Sequence, residues 1–199
     1  VLDSSNKVGK KILMSGEGYC NFTNLDITPE NYLSQNPHFC ISALNRYNQW
    51  QFIDLVERHN IPYHEKSHGE LFCDNSSKDI LKMLLDECSA VQVVIRTKSI
   101  ISQIEPVEEG GFNLSVAGQK IHCESLVVAS GGLSIPTLGA SGFGYDIAEQ
   151  FGLELLPRTA GLVPFTFSDW VKDISETNSG LSVDVEMSVN GISFRENLL

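Results

Sequence analysis

The chain has 199 residues, 42% of them hydrophobic and 20% charged, which is enough for one globular core and part of a second domain. Fourteen Lys and Arg face 25 Asp and Glu, and the formal charge of −11 disfavours nucleic acid and anionic membranes as partners. No apolar run approaches the roughly 20 residues of a membrane-spanning helix, and no signal-peptide pattern opens the chain, so a cytoplasmic protein is expected.

Val1 to Asp3 reads as the end of a strand, and both termini look cut, so the sequence reads as an excerpt. Residues 4 to 28 are rich in Gly, Ser and Asn with little periodicity and read as an extended functional loop. Ile41, Leu44 and Tyr47 have helical spacing. Asn48 then caps a second helix, with Phe52, Leu55 and Val56 on its inner face and His59-Asn60 at its end. Residues 60 to 76 look irregular apart from a short apolar piece at Leu71, Phe72 and Cys73. Asn75-Ser76-Ser77 offers N-caps for a helix to about Cys88, striped by Ile80, Leu81, Leu84 and Leu85.

Short strand patterns follow at Val91 to Ile95 and Ile100 to Ile104. Phe112, Leu114 and Val116 alternate, Ala117-Gly118 turns, and Ile121 and Cys123 alternate again: an antiparallel meander. Leu126 to Ala129 is expected as a buried strand running into Ser130-Gly131-Gly132, then a helix from Gly144 to Phe151 stopped by Gly152. The pattern changes near residue 158. Leu162, Val163, Phe165 and Phe167 begin a β-like segment, Trp170 starts a short helix or turn, and Leu181 to Val189 alternates into an Asn190-Gly191 turn.

Three features carry chemistry. Asp3, an acid just after a strand, stands where a Rossmann-type fold hydrogen-bonds the ribose hydroxyls of an adenine dinucleotide. The confirming Gly-rich turn belongs roughly 20 residues upstream, outside this sequence. The loop at 9 to 24 combines glycines, whose backbone can approach a flat or anionic ligand, with Lys10 and Lys11. On residues alone an ordinary surface loop fits equally. Val127 to Gly132 is an apolar strand ending in small residues, which permits close approach of a cofactor or simply makes a tight turn.

The remaining candidates read more plainly. The five cysteines form no CxxC pair and read as reduced thiols. His59, His64, His68 and Cys73 match no compact ligand pattern, so no metal is expected. His64 and His68 are left as residues that help shape a substrate pocket, while Phe39, Trp50 and Phe52 read as core.

Taken in order, the motifs are specific. They are GKKILMSGEGYCNFTN at 9 to 24, YLSQNPHF at 32 to 39, YHEK at 63 to 66 and LFCD at 71 to 74. VVASGGLSIPTLGASGFGYDIAEQFGLELLP at 127 to 157, GLVPFT at 161 to 166 and FRENLL at 194 to 199 follow. With these the chain resembles the BaiN/YhiN-like family of bacterial NAD(P)/FAD-dependent oxidoreductases, flavoproteins to which aminoacetone oxidase is also related. The resemblance implies an α/β fold: an FAD/NAD(P)-binding Rossmann-like domain with an antiparallel β-meander over residues 1–157. An inserted β-rich substrate domain would begin over 158–199.

The resemblance also implies site residues. Asp3 would bind the adenosine ribose. Lys11, Ser15, Gly16, Gly18, Cys20 and Asn21 would lie along the flavin and its phosphates. Ile101 would touch adenine through its backbone, and Ala129, Ser130 and Gly131 would line the far side. Two residues depart from the family loop: Glu17 replaces a glycine and Tyr19 stands at a position where Arg is common. The implied activity is flavin-mediated hydride or electron transfer on a small molecule, with FAD as cofactor and NAD(P)H as a candidate donor. No catalytic acid or base is singled out. The alternative is a non-catalytic α+β module that no longer binds cofactor.

Overall fold

The structure is a computed structural model that describes residues 1–135, 138–161 and 166–198. The expected β-like residues Leu162, Val163 and Phe165 lie outside the described residues, as do Pro136, Thr137 and Leu199. The chain divides into two compact units, Val1–Leu155 and Leu156–Leu199.

The first unit opens with Leu2 bridged in parallel to Arg96, where the Asp3 N–H donates to the Arg96 carbonyl at 2.9 Å. The stretch at residues 91–95, expected as a strand, forms none: the bridge falls just beyond it at Arg96, and Val91 and Val94 are exposed.

The loop expected at 4 to 28 is more ordered than its composition suggested. It contains α1 (Lys10–Met14), a 3-10 turn (Ser15–Gly18) and β1 (Asn21–Asn24). Tertiary packing overrides the loop-like composition here. A Cβ at Gly9 would come within 2.5 Å of Leu81, and the Ser77 hydroxyl donates to the Leu13 carbonyl. These contacts seat α1 on α4 (Ser77–Ala90).

α2 (Ile41–Arg46) and α3 (Gln49–Arg58) stand where the helical spacing puts them. Asn48 caps α3 by accepting from the Trp50 and Gln51 N–H groups, and Gln51 returns the bond to the Asn48 N–H. Phe39 and Trp50, expected in the core, are exposed, and α3 instead buries Ile53 and Val56. Residues 60–76, expected to be irregular, carry β2 (Tyr63–Glu65) and β3 (Glu70–Cys73), which join β1 in an antiparallel sheet of order β1-β3-β2. These strands are too short to show an alternation in sequence, and cross-strand pairing fixes them. One face of this sheet meets α3 and α4 around Cys20, Val56, Ile61, Cys73, Ile80 and Met83, with Phe22 and Tyr63 packed against the cluster.

The meander forms as expected, from β4 (Ile101–Pro106), β5 (Phe112–Val116) and β6 (Gln119–Cys123). Ile104, Leu114 and Val116 are its buried residues, and Leu2, Ile101 and Phe143 pack on them. α5 (Phe143–Gln150) follows, with Gly152 in the left-handed conformation at φ 73 beyond its end. Leu126 to Ala129, expected as a buried strand, forms none: Val127 is 85% exposed, and no strand among the described residues pairs with it.

In the second unit, α6 (Asp169–Thr177) precedes a hairpin of β7 (Val183–Val189) and β8 (Ile192–Leu198). Its Asn190-Gly191 turn has φ of 50 and 81, the left-handed pair that a two-residue hairpin matching strand twist requires.

Met83, 1% exposed in the α3–α4 cluster, sets the first prediction. Met83→Ala is expected to lower unfolding free energy by about 2–5 kcal/mol in a denaturant titration. Trp50→Ala, at an exposed site, is expected to change it by about 0.5 kcal/mol or less.

Candidate functional site

The expected site residues fall into three groups within the first unit. Asp3 and Ile101 lie at the start of the meander, where the Ser99 N–H donates to the Asp3 carbonyl at 2.9 Å. The Asp3 carboxylate accepts from the Ser5 N–H at 2.7 Å, closing the loop after the parallel bridge. Ile101 is half-buried on the meander cluster and pairs with Val116.

The second group is the turn from Ser15 to Asn21. Gly16, Glu17, Gly18 and Cys20 all have positive φ, at 55, 56, 93 and 57. This backbone folds tightly, with Cys20 N–H donating to the Ser15 carbonyl at 3.0 Å and the Ser15 hydroxyl donating to the Ile12 carbonyl at 2.8 Å. A Cβ at Gly16 would come within 2.6 Å of the Phe72 ring and 2.8 Å of the Asn21 nitrogen, so only glycine lets the turn lie on β3. Gly18 is different: a Cβ there would meet nothing within 4 Å. Glu17 is exposed, and its carboxylate faces solvent here. Cys20 is 5% exposed and its side chain belongs to the hydrophobic cluster, while Asn21 donates from Nδ2 to Glu70 Oε1 at 3.1 Å.

Lys11 connects this turn region to the third expected segment. Its Nζ donates to the Ser134 hydroxyl at 3.1 Å, across 123 positions of sequence. Ala129, Ser130 and Gly131 lie just before Ser134 and are exposed, and the Gly131 backbone, at φ 76, is open on its Cβ side. The structure thus brings the 9–24 and 129–134 segments together.

The sequence singled out His64 as a pocket residue, but not its pairing with Asp74, nor a role at the site for Ser134 or Phe72. His64 Nδ1 lies 2.7 Å from Asp74 Oδ1, and its ring stacks on Phe72 with centroids 6.4 Å apart. The signal available was register: His64 pairs with Phe72 across β2 and β3. Elsewhere, His59 Nε2 lies 2.6 Å from Glu87 Oε1, beside a groove of about 270 Å³ bounded by Asn75, Asp79 and Lys82. None of the expected cofactor residues lines that groove. Among the described residues, no group of three or more His, Cys, Asp and Glu is placed to hold a metal ion.

With this geometry in hand, the sequence can be set beside known proteins. Residues 1–180 match the family described as the HI0933-like protein Rossmann domain. The chain belongs to this family. It is the FAD-binding oxidoreductase family of BaiN/YhiN-like proteins, and the Rossmann-type α/β fold with its meander goes with it. A "Ribosomal RNA dihydrouridine synthase" of Escherichia coli (strain K12) is 53% identical over 200 residues, covering 100% of this chain and 50% of that protein. A protein of the same name from Haemophilus influenzae is 49% identical over 203 residues, with the same two shares. A "3-dehydro-bile acid delta(4,6)-reductase" of Clostridium scindens is 27% identical over 165 residues, 82% of this chain and 40% of the relative. The chain spans about half the length of the first two relatives. Their name specifies RNA, which runs against the expectation that nucleic acid is not a partner. No helix among the described residues is long and apolar enough to cross a membrane.

Among the described residues, Cys73 has the one large shift in acidity. Burial, first, and then the nearby Cys20, Asp79 and Asp74 push its thiol from an ordinary value of 9.0 up to about 12. The folded state therefore holds a neutral thiol. In the unfolded chain the same thiol ionises near its ordinary value, so its contribution to stability is intact below about pH 9 and lost as pH rises toward 12. Alkylation with iodoacetamide at pH 8, followed by peptide mass mapping, is expected to label the half-buried Cys88 and Cys123 well before Cys73.

Proposed function

We propose that the protein carrying this chain is a flavin-dependent ribosomal RNA dihydrouridine synthase, and that this chain supplies part of its FAD site. The observation that carries the reading is 53% identity to the Escherichia coli synthase across all of residues 1–199. The 27% identity to a bile acid reductase supports the coarser theme, reduction of a carbon–carbon double bond. The proposal replaces the small-molecule substrate expected from sequence, and it withdraws the inference from net charge. A sum of −11 over the chain says nothing about local charge, and Lys7, Lys10 and Lys11 form a basic group within it.

The residues fit FAD. Peptide groups at Gly18 and Gly131 are open to a flat ligand, and the Lys11 ammonium sits between the two segments that carry them. In the proposal Lys11 balances negative charge on a phosphate or a reduced flavin. The backbone of Ser15, Gly16 and Gly18 lies along one edge of the cofactor, and that of Ala129, Ser130 and Gly131 along the other. Cys20, its side chain turned into the core, can offer only its backbone, and Asn21 offers an amide already held by Glu70. Asp3 would hold the ribose hydroxyls, and Ile101 would meet adenine through its backbone. Bound FAD supplies a two-electron reductant at carbon, recharged by NAD(P)H.

The test is product formation. The protein carrying this chain, incubated with FAD, NAD(P)H and unmodified ribosomal RNA, is expected to convert a uridine to a nucleoside heavier by two hydrogen atoms in nuclease-digest mass spectrometry. Flavin-loaded protein that leaves every uridine unchanged, in naked RNA and in ribosomal particles alike, overturns the proposal.

A further inference from the structure

We infer that His64, oriented by Asp74, is the general acid that gives a proton to the substrate ring; the inference rests on the reductase reading above. The β1-β3-β2 sheet has two unlike faces. Successive side chains on a strand point to opposite faces. Phe22, Tyr63, Leu71 and Cys73 belong to the buried side, three of them in or against the α3–α4 cluster. His64, Phe72 and Asp74 alternate with them and take the other face, where Asn21 donates to Glu70.

On that outer face Phe72 is the hub. Its ring is what a Cβ at Gly16 would strike, so it supports the turn proposed to meet the flavin. The His64 ring stacks on it with an interplanar angle of 23°, and Lys66 Nζ stands 4.1 Å from its centroid. One aromatic ring therefore links the imidazole to the cofactor turn. Phe72 itself is 6% exposed, which makes it a support and not a surface for stacking a base. His64 is accessible, with 49% of its side chain exposed.

Asp74 gives the imidazole a direction. A carboxylate only accepts hydrogen bonds, so at 2.7 Å from Nδ1 it fixes the proton on Nδ1. Nε2 is left as the nitrogen that gains and loses a proton. The other ring–carboxylate pair, His59 with Glu87, lies beside the groove at Asn75 and Asp79, away from Phe72.

The C5=C6 π bond of uracil would break as a hydride from a bound anionic dihydroflavin, which would supply both electrons, bonds to one ring carbon. The electron pair left on the neighbouring carbon takes the Nε2 proton of the His64 imidazolium. Two C–H bonds form, the flavin ends oxidised, and the neutral imidazole regains its proton from water.

The experiment uses the flavin-loaded protein carrying this chain with ribosomal RNA. His64→Gln is expected to lower dihydrouridine formation by about 10²–10⁴-fold, with bound flavin, thermal midpoint and flavin reduction by NAD(P)H unchanged. Imidazole added to His64→Gly is expected to restore part of the rate, which a structural role does not predict. Asp74→Asn is expected to lower the rate and to remove the Nδ1–H tautomer in the 15N spectrum of His64. A uridine-containing oligoribonucleotide is expected to shift the His64 ring signals in the wild-type protein. Full activity in His64→Gln, or His64 signals unmoved by the oligonucleotide, overturns the assignment while leaving the synthase reading intact. Wild-type protein that makes no dihydrouridine overturns both.

Discussion

Gly16 lies so close to Phe72 that even a methyl group would collide with the ring, and this crowding places the backbone of residues 15–21 directly against β3. Everything proposed for the site depends on that contact. It holds four residues with positive φ in one tight turn, two of which, Glu17 and Cys20, carry side chains that disfavour the conformation. Such residues cost on the order of 1–3 kcal/mol each and persist only where surrounding structure over-determines them. Here the determinants are visible: Cys20 is buried, its N–H reaches Ser15, and the Tyr19 carbonyl accepts from Cys73. The core beneath the sheet, not local preference, keeps the turn in shape.

The same sheet divides labour between its faces. Its inner side is the hydrophobic cluster that includes Cys20 and Cys73, whose thiols are too enclosed to act as ready nucleophiles. Its outer side carries the imidazole–carboxylate pair and Lys66 around Phe72. Lys11 then ties the turn region to Ser134, so that two stretches distant in sequence share one neighbourhood. Strained backbone, open glycine peptides and a polar sheet face occur together, which is the arrangement expected of a binding site held by a rigid element.

The helices and the meander were legible because their signals are local. Asn48 with Gln51 spells a capping box, Ser76 caps α4, and Phe112, Leu114 and Val116 alternate over a full strand. What escaped was non-local. The strands at Tyr63–Glu65 and Glu70–Cys73 are three and four residues long and exist because they pair with each other and with β1. Val127 and Val128 misled in the opposite sense, since an apolar run predicts a strand only where a neighbour pairs with it. At the site, the motifs named the turn and the 129–131 segment, yet nothing in them announced the Lys11–Ser134 bond, the support of Gly16 by Phe72, or the join of His64 to Asp74. Those follow from register and packing, which one sequence does not display.

The central claim is that the Ser15–Asn21 turn and the Ala129–Ser134 segment form part of a flavin site. The most direct measurement is the visible absorbance of the protein carrying this chain, purified, desalted and then denatured to release any bound cofactor. The account predicts flavin bands that survive desalting, with released FAD stoichiometric with protein, and loss of those bands in Lys11→Glu without loss of the folded state. Protein that is colourless, and that stays colourless after incubation with FAD and desalting, would contradict it.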